Sequence, residues 1–588
     1  MTTCYIVLKK EIENLVHKSI KYSKILKTAE LGAVKVEITR TKNPKYGEYS
    51  CNVALQLAKI LDLGPLNIAD EIVKNIEKTG DIKKMKVAPP GFINFYLRES
   101  KKNEVIKTII EHKGDYGTAR NTHRKILLEF VSSNPTGPLH IGHGRHAAYG
   151  DSLANLLRKA GNSVRTEYYV NDAGRQIDIL VISILIQLLN NKGALLKQPK
   201  ISYQGAYIED IAQQIYAIFK SNILTLLDNN ALKNTYPAKT KNEEVDLIIN
   251  DFKQHLGSDV FAALSSAVTE IVLKNIKNDL KSFGVVFDNW FSEKEMINKG
   301  QINQSISVLK ENKYVYKDGG ALWFETSKFK DDKDRVILRE DGSSTYFASD
   351  VSYHLDKRAR GFDLLLNVLG SDHHGYVARL KAGLEAMDHP AECLEVILIQ
   401  FVSLFRGNKK IQMSTRTGDF IPLFELLEEV GKDAARFFYI SRSNDQHLNF
   451  DLNLAKAKNN DNPVYYIQYA HARIHTVFQE LSRSDFNFDK NSGISNLGLL
   501  STNHETEIIT KLGDYPNVIA LSADNYSVHS LANYLLEVAQ LFHPYYNAHR
   551  FLVADNEIRN ARLALIAAVA IVIKDGLSLL GVSAPEKM

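Results

Sequence analysis

The chain has 588 residues, of which 44% are hydrophobic and 24% charged. This is an ordinary globular composition, so it excludes disorder as the main state and allows about three or four domains. Three widely separated cysteines without a C-x-x-C pair exclude a disulfide framework and a thiolate metal site, and a net charge of +5 is only a weak indication of an anionic partner.

Targeting and membrane signals are absent from the sequence pattern. The longest apolar runs, near residues 179–189 and 563–573, are about eleven residues long, whereas a membrane-spanning helix needs roughly 20. The N-terminal segment MTTCYIVLKKEIENLVHKS lacks the pattern of a secretory or transit peptide. We therefore expect a mature cytoplasmic chain with no membrane segment.

Residues 1–115 are predicted to form a small α+β module. A helix is expected from about Lys9 to Ala29, a strand at VKVEIT, a helix at NVALQLAKIL, strands at KMKVA and FINFYL, and a helix over 99–112. Residues 1–100 hold 17 basic and 11 acidic side chains. This excess indicates either a solvated basic face or a contact with a phosphate backbone.

Residues 116–452 alternate short apolar strands with helices. The strands are expected at KILLEFV, VRTEYYV, DLLLNVLG and EVILIQFV, and residues near 191–260 are interpreted as a helical insertion. This spacing predicts parallel βαβ units in a Rossmann-like doubly wound sheet, whose ligands lie at the carboxyl ends of the strands. Residues 453–588 show helical periodicity and predict an all-α bundle. The fold class is therefore α/β with an N-terminal α+β module and a C-terminal helical domain.

The loop after the first strand of this sheet carries the sequence HIGH. His140 and His143 bracket Gly142 where a helix is expected to begin, and helix N-termini present unpaired N–H groups that bind anions. The two imidazoles can donate hydrogen bonds to phosphate oxygens, and Gly142 leaves room for a flat base. Capping and a metal site are the alternatives; zinc is disfavoured because no thiolate or H-E-x-x-H pattern is nearby.

In this context HIGH resembles the signature of class I aminoacyl-tRNA synthetases, and the chain resembles the arginyl-tRNA synthetase family in particular. The resemblance is carried by EFVSSNPTGPLHIGHGRHAAYGD, YYVNDAGRQI, TYFASDVSYHLDK, GSDHHGY and ARLALIAAVAIVIKDGLSLLGVSAPEKM. It implies activation of L-arginine with ATP and Mg²⁺ as the substrate complex, transfer to tRNA(Arg), no tightly bound metal, and a monomer. It also implies that the N-terminal module contacts the tRNA corner.

The second family signature, KMSKS, corresponds to IQMSTRTGDF, where Gln412 and Thr415 replace the lysines. Arg416, or Lys409 and Lys410 before it, is expected to supply the missing charge; a basic surface loop is the alternative. The resemblance thus assigns catalytic roles to Met413, Ser414 and Arg416, and an ATP contact to Thr415.

The resemblance also implies an arginine pocket. Tyr346 and Asp350 match positions that hold the guanidinium group, Glu293 matches a further acidic contact, Asn134 matches a contact near the α-amino group, and His373 matches a pocket residue. A carboxylate and an aromatic ring suit the planar guanidinium fork. Taken singly, such residues are usually solvated charges or packing, and His373 with its neighbouring histidine is alternatively a nucleotide contact.

The C-terminal domain has 11 basic and 13 acidic residues over 455–588, so bulk charge does not attract RNA to it. The family assigns anticodon recognition to this domain, where stacking and edge hydrogen bonds would have to suffice. Tyr465, Tyr469, Arg473, Tyr545 and His549 are the candidates, with helix packing as the alternative for at least half of them.

Two other functions stay open at this point. One is a nucleotidyltransferase with an H-x-G-H signature, although such enzymes are generally shorter and need no tRNA-binding modules. The other is a non-catalytic tRNA-binding relative of a synthetase, which the missing KMSKS lysines suggest and the intact HIGH, Tyr346 and Asp350 oppose.

Overall fold

The N-terminal region of the computed structural model is an antiparallel sheet covered by helices. The structure describes residues 4–23, 25–26, 34–41, 44–77, 79–119, 123–194, 196–219, 236, 238–411 and 421–588. Strands β1 (Ile38–Arg40), β2 (Tyr49–Cys51), β3 (Ile82–Ala88) and β4 (Phe92–Leu97) pair in the order β1-β2-β4-β3. The helices of this region are Cys4–Tyr22, Val53–Leu61, Pro65–Asn75 and Glu99–His112.

Two expected elements of this region are shorter than predicted. The first helix ends at Tyr22, because the Ser23 hydroxyl accepts the backbone N–H groups of Ile25 and Leu26 and so favours a turn. The strand expected at VKVEIT is paired only from Ile38 onward. Strands β3 and β4 and the helix Glu99–His112 agree with the prediction.

The central sheet confirms the predicted doubly wound parallel topology. Its strands are β5 (Lys125–Glu129), β6 (Ser163–Val170), β7 (Asn289–Ser292), β11 (Leu364–Gly370) and β12 (Leu394–Ile399), in the order β12-β11-β5-β6-β7. All neighbours are parallel. The chain runs outward from β5 in both directions, so the carboxyl end of β5 is the topological switch point where ligands of such sheets bind.

Helices cover this sheet because their apolar faces need burial against it. Gly150, in the helix after β5, shows how close that packing is, since a Cβ there would lie 2.2 Å from the Phe130 ring. The helices of the region are Ile141–Lys159, Arg175–Asn190, Ala206–Phe219, Lys241–Leu256, Ser258–Ser282, Glu293–Asn298, Gln301–Glu311, Tyr346–Ala359, Val377–Glu385, Leu423–Val430 and Lys432–Ile440.

Two small sheets were not predicted. Strands β8 (Val315–Asp318), β9 (Ala321–Phe324) and β10 (Arg335–Leu338) form an antiparallel sheet between β7 and β11. Strands β13 (Val402–Arg406), β14 (Lys409–Lys410) and β15 (Leu448–Asp451) form a mixed sheet, in which β13 pairs antiparallel with β14 and parallel with β15. The segment EVILIQFV therefore spans two sheets rather than one strand, because the chain changes sheets at Gln400, whose N–H donates to the Asn444 carbonyl.

The C-terminal region is helical as predicted, and residues 453–588, all of which are described, contain no strand. Its last helix packs on the long helix after β5: the Ser152 hydroxyl donates to the Leu580 carbonyl and Lys159 pairs with Asp575 at 2.9 Å. Its helices are Leu452–Lys456, Pro463–Ser482, Lys490–Ser495, Asn503–Gly513, Tyr515–Asp524, Val528–Ala548 and Asn556–Leu579.

Over the described part of the chain, no single helix is long and apolar enough to span a membrane. Lys241–Leu256 and Ser258–Ser282 together pass that test by length and composition only, and they are bent by 113° at their junction.

Candidate active site

The HIGH segment caps the helix Ile141–Lys159 at the carboxyl end of β5. His140 is the N-cap residue, and its Nδ1 accepts the Gly142 N–H at 3.1 Å, while the His143 Nδ1 accepts the His140 N–H at 3.3 Å. The two rings stack with centroids 3.7 Å apart. A Cβ at Gly142 would lie 2.9 Å from the His140 ring, so this reciprocal cap depends on a glycine between the histidines.

Both imidazoles are neutral donors in this arrangement. Burial lowers the pKa of His140, and burial together with the nearby His140 and His146 lowers the pKa of His143 well below its usual value. Because each Nδ1 accepts a backbone N–H, the proton of each neutral ring lies on Nε2. Two Nε2–H groups therefore lie beside the positive end of a helix dipole, an arrangement that favours an anion.

A second part of the site is a carboxylate pocket at the start of the helix Tyr346–Ala359. The Thr345 hydroxyl caps this helix by accepting the Ala348 N–H, and Asp350 is the fifth residue of the helix, just after its first turn. The Tyr376 hydroxyl donates to the Asp350 carboxylate. Burial raises the pKa of Asp350 to about 7, with the negative charges of Glu129 and Glu293 adding to the effect and the Tyr376 bond opposing it.

Glu293 faces the same pocket from the helix after β7. It is 4% exposed, and burial raises its pKa despite hydrogen bonds to Ser349 and Tyr169. The Asn171 amide is oriented with its nitrogen toward Glu293, and this nitrogen donates to Glu293 Oε2 at 2.6 Å. The Asn171 amide oxygen then lies 3.1 Å from the Asn134 amide. Asn171 thus links Asn134 to Glu293, whose charge in turn acts on Asp350.

Tyr346 and His373 lie at the edges of this pocket. Tyr346 begins the helix that carries Asp350, is 58% exposed, and acts electrostatically on Tyr203. His373 is exposed, lies 3.7 Å from Asp372, and acts electrostatically on the half-buried His146 of the HIGH helix. His373 therefore acts on the HIGH helix, whereas Tyr376 from the same 3₁₀ segment bonds Asp350.

Sequence reasoning missed the groups that hold the pocket in place. Glu129, the last residue of β5, accepts Lys357 Nζ at 2.5 Å, and Lys357 also donates to Asn367 at 3.0 Å. Asn367 bonds His354 at 2.8 Å, and His354 Nδ1 bonds the Asp350 carbonyl at 2.7 Å. The position of Glu129 at a strand end was a usable signal; Tyr376, Asn171 and Asn367 offered none.

The predicted KMSKS-like residues Gln412, Met413, Ser414, Thr415 and Arg416 lie outside the described residues. Lys409 and Lys410, just before them, form the exposed strand β14. This strand is antiparallel to β13, with Lys410 opposite Phe405 and Lys409 opposite Arg406 in the register. Arg406 itself pairs with Glu429 at 2.7 Å.

The C-terminal candidates divide into two groups. The Arg473 guanidinium lies over Tyr469, 4.4 Å from the ring centroid, and Tyr465 stacks on Tyr469. Tyr545, in contrast, is fully buried and donates to Glu505, so it is a packing residue in this structure and not an accessible base contact. His549 is the C-cap residue of the helix Val528–Ala548, which also carries Tyr545, and its ring bonds His504 at 3.3 Å.

Among the described residues, no group of three or more His, Cys, Asp or Glu side chains is arranged to hold a metal ion. This includes His140 and His143, whose Nδ1 atoms are both used for the helix cap.

The chain matches three known families along its length. Residues 7–97 match the family described as the arginyl tRNA synthetase N terminal domain. Residues 105–470 match the catalytic domain of class I tRNA synthetases (R). Residues 467–588 match the DALR anticodon binding domain.

Curated relatives cover nearly the whole chain. The arginine–tRNA ligase of Coxiella burnetii (strain RSA 493 / Nine Mile phase I) is 45% identical over 596 residues, which cover 99% of each chain. That of Thioalkalivibrio sulfidiphilus is 46% identical over 562 residues, covering 95% of this chain and 96% of the relative.

Solved structures support the same relationship. A crystal structure of a putative arginyl-tRNA synthetase from Campylobacter jejuni is 33% identical with a TM-score of 0.73, covering 84% of this chain and 100% of that one. The Thermus thermophilus arginyl-tRNA synthetase has a TM-score of 0.73 at 20% identity, covering 99% and 100%, and supports the fold alone. With these matches along its whole length, the chain belongs to the arginyl-tRNA synthetase family of class I tRNA synthetases.

Proposed function

We propose that this protein is an arginine–tRNA ligase: it activates L-arginine with ATP and transfers the arginyl group to the 3′-terminal adenosine of tRNA(Arg) for protein synthesis. The observation that carries the proposal is the carboxylate pocket beside the HIGH helix. Glu129 and Glu293 are buried there and Asp350 is half-buried. The negative charges of Glu129 and Glu293 act on Asp350, and the opposing cation is Lys357, which pairs with Glu129. A pocket with this excess of negative charge favours a cationic substrate side chain.

In the first step the carboxylate of arginine attacks the α-phosphorus of ATP. A bond forms between a carboxylate oxygen and phosphorus, and the bond to the leaving pyrophosphate breaks. We assign His140 and His143 to the phosphate oxygens, because neutral Nε2–H donors stabilise charge that develops there without a proton transfer. Gly142 lies beneath the adenine, and Mg²⁺ enters as part of the nucleotide substrate.

In the second step a ribose hydroxyl of the terminal tRNA adenosine attacks the arginyl carbonyl carbon. The new ester bond forms as the bond to AMP breaks, so no protein nucleophile is needed. The protein supplies position: Asp350 and Tyr346 hold the guanidinium, Glu293 adds an acidic contact, and Asn134 lies near the α-amino group. His373 completes the pocket on its nucleotide side.

Further assignments follow the family pattern. Thr415 contacts ATP, and Met413, Ser414 and Arg416 act in the loop that approaches the phosphates. We divide the chain into a tRNA-contacting module over 1–115, a catalytic domain over 116–452 with its insertion near 191–260, and an anticodon-binding domain over 453–588. Of the anticodon candidates we retain Tyr465, Tyr469, Arg473 and His549. A monomeric, cytoplasmic enzyme without a membrane partner stays a prediction.

The decisive experiment measures arginine attachment to tRNA(Arg) with ATP, using the purified protein and omitting each substrate in turn. We expect charged tRNA only when all three are present. Binding of tRNA without any charging would support the non-catalytic relative instead. The nucleotidyltransferase alternative is not favoured, because the flanking domain matches are those of tRNA synthetases.

A further inference from the structure

A polar groove with three lysines lies beside the arginine pocket. It runs between the helix Ser258–Ser282 and the helix Glu293–Asn298 and has a volume of about 480 Å³. Lys274, Lys277 and Lys294 line it, together with two acidic residues and several hydroxyl and amide side chains. All three lysines are exposed to solvent.

Two of these lysines contact uncharged groups. The Lys277 ammonium lies over the Trp290 ring, 4.7 Å from its centroid, and Lys294 Nζ donates to the Ser266 hydroxyl at 3.0 Å. A ring and a hydroxyl orient an ammonium group but do not neutralise it. Both side chains are thus held in place while their charge can still attract an anion.

One of the two acids in the groove is engaged by the protein itself. The Asp172 carboxylate accepts the Ser292 hydroxyl at 2.6 Å and the Lys294 backbone N–H at 2.8 Å. It therefore fastens the end of β6 to the start of the helix after β7. The other acid, Glu270, is exposed, and its single negative charge is outnumbered by the three ammonium groups of the groove.

The groove and the arginine pocket share a wall. Asp172 directly follows Asn171, which bonds Glu293, and Lys294 directly follows Glu293. Neighbouring side chains on these two segments therefore face the pocket and the groove. An anion in the groove lies next to the substrate without entering its pocket.

The position of the groove excludes the phosphates of ATP as its occupant. Those phosphates belong at the N-terminus of the HIGH helix, at the end of β5, whereas this groove lies beyond β6 at the edge strand β7. The other polyanion in the reaction is the tRNA, whose single-stranded 3′ end must pass the rim of the pocket to bring its last ribose to the arginyl group.

We infer that this groove binds the phosphate backbone of the single-stranded 3′ end of tRNA through Lys274, Lys277 and Lys294. The inference rests on the proposed ligase function and adds a contact surface for its RNA substrate. Lysine contacts to phosphates are independent of base identity and weaken with salt, so the groove guides the strand and does not read its sequence.

The test is the Lys274→Ala, Lys277→Ala, Lys294→Ala triple variant. We expect its Kd for tRNA to rise about tenfold or more, and the slope of log Kd against log salt to flatten by about 2, since each phosphate contact to a single strand contributes about 0.7. The corresponding triple Lys→Arg variant keeps the charge and should bind nearly as well as the original protein. A triple variant of the exposed Lys310, Lys317 and Lys333, changed to Ala, is the matched control.

Truncated tRNA identifies the part of the RNA involved. For tRNA lacking its single-stranded 3′ nucleotides, the original protein and the triple alanine variant should have the same Kd. An equal loss of affinity for intact and truncated tRNA would overturn the assignment to the 3′ end, and an unchanged Kd and salt slope would overturn the groove itself. If the original protein binds tRNA but charges none, the proposed function fails while the groove is still tested by binding.

Discussion

The hydroxyl group of Tyr376 donates a hydrogen bond to the carboxylate of Asp350, and so ties the 3₁₀ segment after β11 to the N-terminal half of the helix Tyr346–Ala359. One turn further along the same helix, His354 Nδ1 bonds the Asp350 backbone carbonyl at 2.7 Å. The residue whose carboxylate we assign to the guanidinium group is therefore held by hydrogen bonds both at its side chain and at its backbone.

Replacing Asp350 with Asn should lower kcat/KM for arginine on the order of 100-fold or more, because the guanidinium loses its charged partner in a buried site. Aminoacylation at saturating ATP and tRNA measures this change. Asp318→Asn, at an exposed position in the small sheet β8–β10, is the control and should leave kcat/KM unchanged. An unchanged kcat/KM in Asp350→Asn would refute its assignment to the guanidinium.

Arginine binding should weaken as the pH falls through 7. The pKa of Asp350 is raised to about 7 in the protein without substrate, and only the ionised carboxylate pairs with a guanidinium. Between pH 8 and pH 6 the ionised fraction falls about tenfold for a pKa near 7, so KM for arginine should rise by about the same factor. A KM that is flat over this range would contradict the role of Asp350.

Tyr376→Phe should move this pH profile to higher pH. The Tyr376 bond lowers the pKa of Asp350, so its removal raises that pKa further and leaves less carboxylate at pH 7. KM for arginine should rise several-fold at pH 7 and recover near pH 9, with kcat changed less. Tyr316→Phe, which removes a hydroxyl bonded to the exposed Asp334, is the control. A loss that is equal at every pH would indicate a merely structural role for Tyr376.

Gly142→Ala should slow adenylate formation tenfold or more, because a Cβ 2.9 Å from the His140 ring must displace that imidazole from its cap. ATP–pyrophosphate exchange in the presence of tRNA measures the step, and arginine binding should change little. Gly498→Ala introduces a Cβ with nothing within 4 Å and serves as the control. If both variants exchange at the original rate, the geometry of the HIGH cap is not required.

Arg473→Ala and Tyr545→Phe should separate recognition from packing in the C-terminal domain. Arg473 lies over the partly exposed Tyr469, so its loss should weaken tRNA binding several-fold with little change in Tm. Tyr545→Phe removes a buried hydrogen bond to Glu505, so it should lower Tm and leave tRNA affinity intact. Filter binding and thermal denaturation measure the two effects, and the opposite pattern would reverse the two assignments.

Arg416→Ala should slow adenylate formation and leave tRNA affinity nearly unchanged, because the expected role of Arg416 is to supply positive charge to the phosphates in place of the missing KMSKS lysines. Pyrophosphate exchange compared with tRNA binding measures the two. A normal exchange rate would move this role to Lys409 or Lys410, and the corresponding alanine variants would test it.

Local sequence patterns determined much of this protein. Alternating apolar strands and helices indicated the parallel sheet, because strands buried on both faces need continuous apolar runs. The HIGH loop was recognised from its place between a strand and a helix, whereas Asn134, Glu293 and Asp350 were assigned through the resemblance to the arginyl-tRNA synthetase family. The small sheets around β9 and β13 were missed because their short strands have weak periodicity, and their pairing depends on distant segments.

Tertiary structure alone decided how these groups act together. Glu129, Lys357 and Asn367 come from β5, a helix and β11, and only the parallel register of the strands places them in one hydrogen-bonded chain beneath Asp350. Burial likewise distinguished Tyr545 from its neighbours, because helical periodicity gives the same spacing to a packing residue and a base contact. Sequence determines which chemistry the residues can supply, whereas distance, burial and pKa depend on contacts between segments far apart in the chain.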